Sequence, residues 1–154
     1  MKETTMDLDA VTAEVQALIL PRFDEGVALR LGVILTGLAT GLPVVINIRA
    51  PHRTFFHVAL PGSQSGNENW ARRKSNMSFF TGMASMAVGL KHAASGRSLA
   101  DSGLALADYA DHGGAVPVVV LGVGMIAVAT VSGLPQEEDH ALVVRGIRAL
   151  AAEL

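Results

Sequence analysis

Between Ala115 and Leu134 the chain runs for twenty residues without a charged side chain. A stretch of that length and character either crosses a bilayer or is buried inside a folded domain. Its composition decides for burial. Nine of the twenty are Val, Ile or Thr, Pro117 stands near the start, and Gly122 and Gly124 interrupt the middle as a turn does. The flanks, Asp111 on one side and Glu137 to Asp139 on the other, are acidic and offer no Lys or Arg to set an orientation. Two adjacent buried strands, Val116–Leu121 and Met125–Ser132, are therefore expected, and no membrane span.

Covering such strands takes helices, and the rest of the chain supplies them. Asp7 or Asp9 caps a first helix bearing Val11, Val15, Leu18 and Ile19 at helical spacing, which Pro21 stops. Asp24 caps a second, with Val27, Leu31, Leu35 and Leu38 on one stripe and Gly41 and Pro43 beyond its end. Leu42–Arg49 and Thr54–Leu60 alternate as a hairpin around Ala50 to Arg53. A polar loop over 61–69 leads into a helix from Trp70 to Phe80, broken at Thr81-Gly82, and a further helix covers Met83–Ala94. A short helix is expected around Leu104–Tyr109, and a last one from Gln136 to Ala152, opened by Pro135 and three acids. The order α-α-β-β-α-α-β-β-α joins sequential strands by short turns, so the class is α+β, a single domain over 1–154 with an antiparallel sheet sandwiched by helices. Both faces must be covered because the strands are too apolar to leave one in water.

Charge is scarce. Half of the 154 residues are hydrophobic and 17% are charged, where about 25% is usual, a shortfall of roughly a dozen surface charges. Identical copies that cover one another would explain it, so a homo-oligomer is expected. With 12 basic and 14 acidic residues, the chain generates no broad field for nucleic acid or an anionic membrane. Without cysteine it can form no disulfide, thiolate metal site or cysteine nucleophile. Met1 to Ala10 carries Lys2, Glu3, Asp7 and Asp9 and no apolar core of export-signal length, so a cytoplasmic location is expected.

Three patterns imitate known chemistry and fail on context. Gly122-x-Gly124-x-x-Ala127 spells a dinucleotide fingerprint, but a strand follows where that motif needs a helix. Ser132, Asp139 and His140 have the residue types of a hydrolase triad, yet Thr130 replaces the first elbow glycine, and Asp139 and His140 point about 100° apart on one helix. Glu137-x-x-His140 has no second copy to complete a dimetal site, so helix-terminus charge explains those acids. The densest polar cluster is Trp70-Ala-Arg72-Arg73-Lys74-Ser-Asn76. There Arg73 and Lys74, one turn from Trp70, can grip an acidic small molecule beside an aromatic wall, or simply form a solvated face. His57, in an apolar strand, is either a hydrogen-bonded core group or a ligand to haem or metal, while His112 beside two glycines is freer to act. Asn67, Asn69 and Ser63 serve as loop and cap groups.

The blocks His112-Gly-Gly-Ala-Val-Pro117, Gly122-Val-Gly124 and Thr130-Val-Ser-Gly-Leu-Pro-Gln-Glu-Glu-Asp-His-Ala141 resemble the C-terminal signature of the haem-degrading-domain (HbpS/GlcG-like) superfamily. Phe56-His-x-Ala-Leu-Pro-Gly62, Asn67-x-x-Trp70-x-Arg-Arg-Lys74-x-Asn76 and Val88-Gly-Leu90 resemble its branch known as uncharacterised protein family 0303. The resemblance spans nearly the whole chain. It implies a profilin-like α/β/α fold, a symmetric oligomer and a ligand-binding role, with haem as one cofactor some relatives bind. Haem requires an apolar slot, an axial ligand and a cationic anchor for its propionates. Of these the residues readily name the anchor, Arg73 with Lys74; with the aromatic wall and the two histidines, the expected ligand-binding residues are Trp70, Arg73, Lys74, His57 and His112. The alternative is a protein-interaction adaptor or scaffold with no catalytic activity, and nothing in the residues assigns a reaction.

Overall fold

The computed structural model describes residues 6–154, so Lys2 and Glu3 lie outside the described residues. Helix α1, Leu8–Gln16, opens where the Asp7 carboxylate accepts from the Ala10 N–H at 2.8 Å, and α2, Glu25–Leu38, opens the same way on Asp24 and Val27 at 2.8 Å. These caps satisfy donors that a helix start leaves unpaired. α1 ends before Leu18 and Ile19. Those residues leave the helix because the chain turns to lay Leu20 along the sheet, its N–H donating to Val119 O and its carbonyl accepting from Leu121 N, both at 2.9 Å. The outer edge of the sheet is thereby partly covered.

Four strands, β1 Val45–Ala50, β2 Arg53–Ala59, β3 Ala115–Val120 and β4 Gly124–Ser132, make one antiparallel sheet in the order β2-β1-β4-β3. The two hairpins expected from the sequence are both present, and β1 pairs β4 to join them. Met125 to Val131 is extended, which removes the dinucleotide reading of the Gly122 turn. No helix of the described residues is long and apolar enough to cross a membrane.

Register makes the two faces chemically different, because directly paired residues point to the same side and alternate along each strand. One face carries the pairs Ile46–Val131, Ile48–Ala129, Val116–Ala129 and Val118–Ala127. It packs on α2 and on α5, Gln136–Glu153, with Leu31, Leu35, Ile147 and Leu150 fully buried. Each such side chain contributes about 1.5–3 kcal/mol through burial. Gly146 is where α5 meets α2, since a Cβ there would lie 2.3 Å from Leu35 Cδ2. The other face carries Asn47 paired with both His57 and Thr130, and Val45 paired with Ser132. α3, Ser65–Thr81, lies over it. A sheet face that buries Asn, Thr and Ser under a helix is where polar chemistry collects.

Two segments differ from the sequence expectation. α3 starts at Ser65, five residues before Trp70, because Gln64 and Asn67 form a reciprocal capping box, the Gln64 N–H donating to Asn67 Oδ1 at 2.8 Å. The stretch around Leu104–Tyr109 is a turn, not a helix, and the nearby short element is a 3-10 helix at Leu99–Ser102. α3 itself holds that turn: Arg72 donates to Ala107 O, Arg73 to Leu106 O and Asn76 to Asp108 O. α4, Ser85–Ser95, follows a left-handed Gly82 and lies between these layers and α1.

Candidate functional site

Lys74 lies on the inward stripe of α3, four residues after Trp70 and three before Met77, and only 2% of it is exposed. A lysine in that position needs its charge and its three donors satisfied inside the protein. They are. Nζ donates to Gly113 O at 2.9 Å, Val131 O at 2.8 Å and Asp139 Oδ2 at 3.1 Å. Asp139, in the first turns of α5, reaches back over Gly133 and Leu134 and accepts their N–H groups at 3.3 and 3.0 Å. Burial pushes the Lys74 ammonium down and the Asp139 carboxyl up, and the attraction between them opposes both shifts. Gly114 is built around the same ammonium: its φ is +137°, and a Cβ there would stand 2.2 Å from Nζ and 2.4 Å from Val131 O.

This pair forms the floor of a cleft of about 210 Å3 between α3, the loop at His112–Gly113 and the start of α5. Trp70 and His112 make one wall, their rings edge to face with centroids 5.0 Å apart. Leu134 adds an apolar patch, and Ser132 lines the floor. Asn67 and Gln136 complete the lining. Their amide orientations are fixed by the backbone, because Gln64 N–H donates to Asn67 Oδ1 and Gly113 N–H donates to Gln136 Oε1 at 2.9 Å. Both NH2 groups are consequently the spare ends, and neither meets an acceptor among the described residues. The cleft thus presents donors and an aromatic wall over a charge-neutral floor. That suits a small ligand rich in acceptor oxygens.

The expected site residues separate into three groups. Trp70, Lys74 and His112 converge on this cleft. Arg73 is adjacent but outside the lining: its guanidinium stacks 4.4 Å from the Trp70 ring centroid and its Nε donates to Leu106 O at 2.8 Å. It braces the wall and the 104–110 turn. His57 lies elsewhere, in a second cavity on the opposite flank of α3, where its nitrogens meet Asn47 Nδ2 at 3.0 Å and Glu68 Oε2 at 2.8 Å. It is neither a core group nor a neighbour of Trp70, because β2 is an edge strand and leaves it partly exposed.

Charge complementarity at the α5 terminus does not account for Asp139, which is the internal partner of Lys74, nor for His140, which is fully buried with Nε2 on Glu14 Oε1 at 3.0 Å. Asp139, Asn67, Gln136 and Ser132 were not among the expected ligand groups. One signal pointed to Asp139: a lysine on the buried stripe of a helix requires a buried carboxylate somewhere in the chain.

A family model described as "Haem degrading protein HbpS-like" matches residues 23–148. A UPF0303 protein of Rhizobium leguminosarum bv. trifolii is 42% identical over 149 residues, covering 96% of this chain and 90% of the relative. Among solved structures, Ybr137w superposes with a TM-score of 0.86 at 28% identity, covering 97% of this chain and 90% of that one. A PduOC:haem complex superposes at 0.70 with 20% identity, covering 82% of this chain and 94% of the other, a likeness of fold.

Proposed function

The chain belongs to the HbpS-like family of haem-degrading proteins, and from that membership and the cleft described above we propose that it is an oligomeric small-ligand-binding protein whose ligand is a small carboxylic acid. The observation that carries this reading is the pair of backbone-locked side-chain amides, Asn67 and Gln136, whose spare NH2 groups line one cleft. A carboxylate supplies four acceptor sites to such donors, and the Trp70 face and Leu134 receive its apolar body. The ion pair beneath them supports the same reading. Burying two charges costs several kcal/mol in desolvation, and an apolar pair of similar size would often serve stability as well.

Haem does not fit this cleft in a single chain. Its volume of about 210 Å3 is below the roughly 300–1,000 Å3 of pockets that bury drug-sized ligands. The Lys74 ammonium expected to anchor propionates already has three internal acceptors, and both nitrogens of His57 are occupied in another cavity. A small acid remains the better match. Exposed Leu121 and Val123 at the β3–β4 turn, each more than 70% exposed, support association between copies.

The test uses Trp70, the only tryptophan, as an internal reporter. Acetate and benzoate titrations should give saturable changes in its fluorescence, while haem should give no saturating Soret shift. Gln136→Glu keeps the acceptor for Gly113 N–H but turns the spare donor into a negative oxygen, and should weaken benzoate binding at least about tenfold. Equal affinity in wild type and Gln136→Glu, or a stoichiometric Soret complex, would overturn the assignment.

A further inference from the structure

The polar face of the sheet carries its second cavity, of about 450 Å3, on the β1–β2 side of α3, and Arg49 of β1 lines it. The guanidinium is half-buried and has no carboxylate partner among the described residues. Among the described residues the arginine and lysine ion pairs join Arg30 to Glu153, Arg53 to Glu25, Arg72 to Asp108 and Lys74 to Asp139. Arg49 bonds only neutral acceptors: Nε and Nη2 donate to Ser75 Oγ at 3.1 and 2.8 Å, and Nη2 to Asn76 Oδ1 at 2.7 Å. Nη1 has just a long contact, 3.4 Å, to Pro51 O. Phe79 packs against the cation at 4.8 Å, so one face of the group is held dry. Partial burial and the neighbouring Arg72 charge both push its pKa down, as expected where a cation lacks a compensating anion.

The rest of the lining keeps that charge uncompensated. Glu68 is its one acid, and the carboxylate is turned to His57 at 2.8 Å, while Asn47 holds the other ring nitrogen. Arg72 adds positive potential, although its own donors hold Asp108, Asn69 and Ala107. A rigid guanidinium, fixed by Ser75 and Asn76 and short of an anion, is the kind of group that takes oxyanions with directional hydrogen bonds.

We propose that this cavity is a second ligand site, distinct from the Trp70 cleft, that binds a small molecule through a phosphate or carboxylate group held by Arg49. The two oxyanions share the chemistry of recognition, and separate titrations tell them apart.

The experiment is thermal unfolding of the whole chain in inorganic phosphate and, separately, acetate, each against chloride at matched ionic strength, reading the ligand-dependent rise in Tm from each variant's own baseline. The acetate series is run in the Gln136→Glu background, which there stands as wild type, so that the Trp70 cleft does not contribute. Wild type should show a saturable rise with at least one anion. Arg49→Gln should weaken the apparent affinity for that anion at least about tenfold, and Glu68→Gln, which removes the competing negative charge, should strengthen it several-fold. Ser65→Glu places a negative charge at the exposed first position of α3, where the helix tolerates it, and should weaken binding even if Arg49→Gln fails to fold. Opposite responses to Glu68→Gln and Ser65→Glu cannot come from general destabilisation. No anion-specific rise in wild type, or a rise unchanged in Arg49→Gln and Ser65→Glu, overturns the proposal.

Discussion

Replacing Lys74 by Met tests the floor of the cleft. Methionine matches the length of the lysine stem, so the packing along α3 is preserved and the electrostatic loss is isolated. Three hydrogen bonds go with the ammonium, leaving Gly113 O and Val131 O without their donor and Asp139 with only the Gly133 and Leu134 amides. Removing one partner of a pair this buried costs about 3–5 kcal/mol, which for a chain of this size lowers Tm by roughly 6–20 °C. The loss should also depend on pH. Burial already holds the Asp139 carboxyl above its ordinary value, and without Lys74 it rises further. A carboxyl raised in the folded state binds its proton more tightly there than in the unfolded chain. Its contribution is complete below the unfolded value of about 3.9 and is lost as pH climbs through the folded value. The gap between wild type and Lys74→Met should therefore widen from pH 4 towards neutrality. Adding Asp139→Asn removes the titrating group, so the double variant should regain about 1–2 kcal/mol at pH 7. Urea unfolding across that pH range measures all three quantities. A loss under about 1 kcal/mol, or a gap that stays constant with pH, would mean that the buried pair does not hold the cleft floor in this way.

Gly114→Ala forces a Cβ against Lys74 Nζ and Val131 O at a positive φ, and should cost at least about 2 kcal/mol with a matching fall in the urea midpoint. Glu14→Ala strips from His140 its one side-chain partner among the described residues, where Nδ1 has none; the orphaned imidazole should cost about 1–3 kcal/mol by the same measurement. Leu121→Asp combined with Val123→Asp charges the exposed β3–β4 tip, and sedimentation should show smaller species than wild type if that tip joins copies. An unchanged sedimentation profile would exclude the tip from the interface.

The fold was readable because its signals are local. The charge-free run with glycines at its centre reads as two buried strands, and Asp24 caps α2 while Gly41 and Pro43 lie just beyond its end at Leu38. The start of α3 was hidden, since Gln64 and Asn67 cap each other in a polar stretch without apolar periodicity. The site was readable by half. Trp70, Lys74 and His112 have residue types that announce themselves, and they do meet. His57 reads as part of an apolar strand, yet strand order puts it on the edge, and order is a long-range property that neighbours in sequence do not encode. Asp139 and Arg49 were obscured for the same reason: 65 residues separate Asp139 from Lys74, and 26 separate Arg49 from Ser75. Arg73 resembled an anion grip because spacing shows proximity to Trp70, but not that the backbone of Leu106 had already engaged it.

A crystal structure of the protein grown with saturating benzoate tests the central assignment most directly. The carboxylate should lie within about 3.2 Å of Asn67 Nδ2 and Gln136 Nε2, with the ring against Trp70. Benzoate seated elsewhere, or a cleft still occupied by solvent alone at saturation, would contradict it.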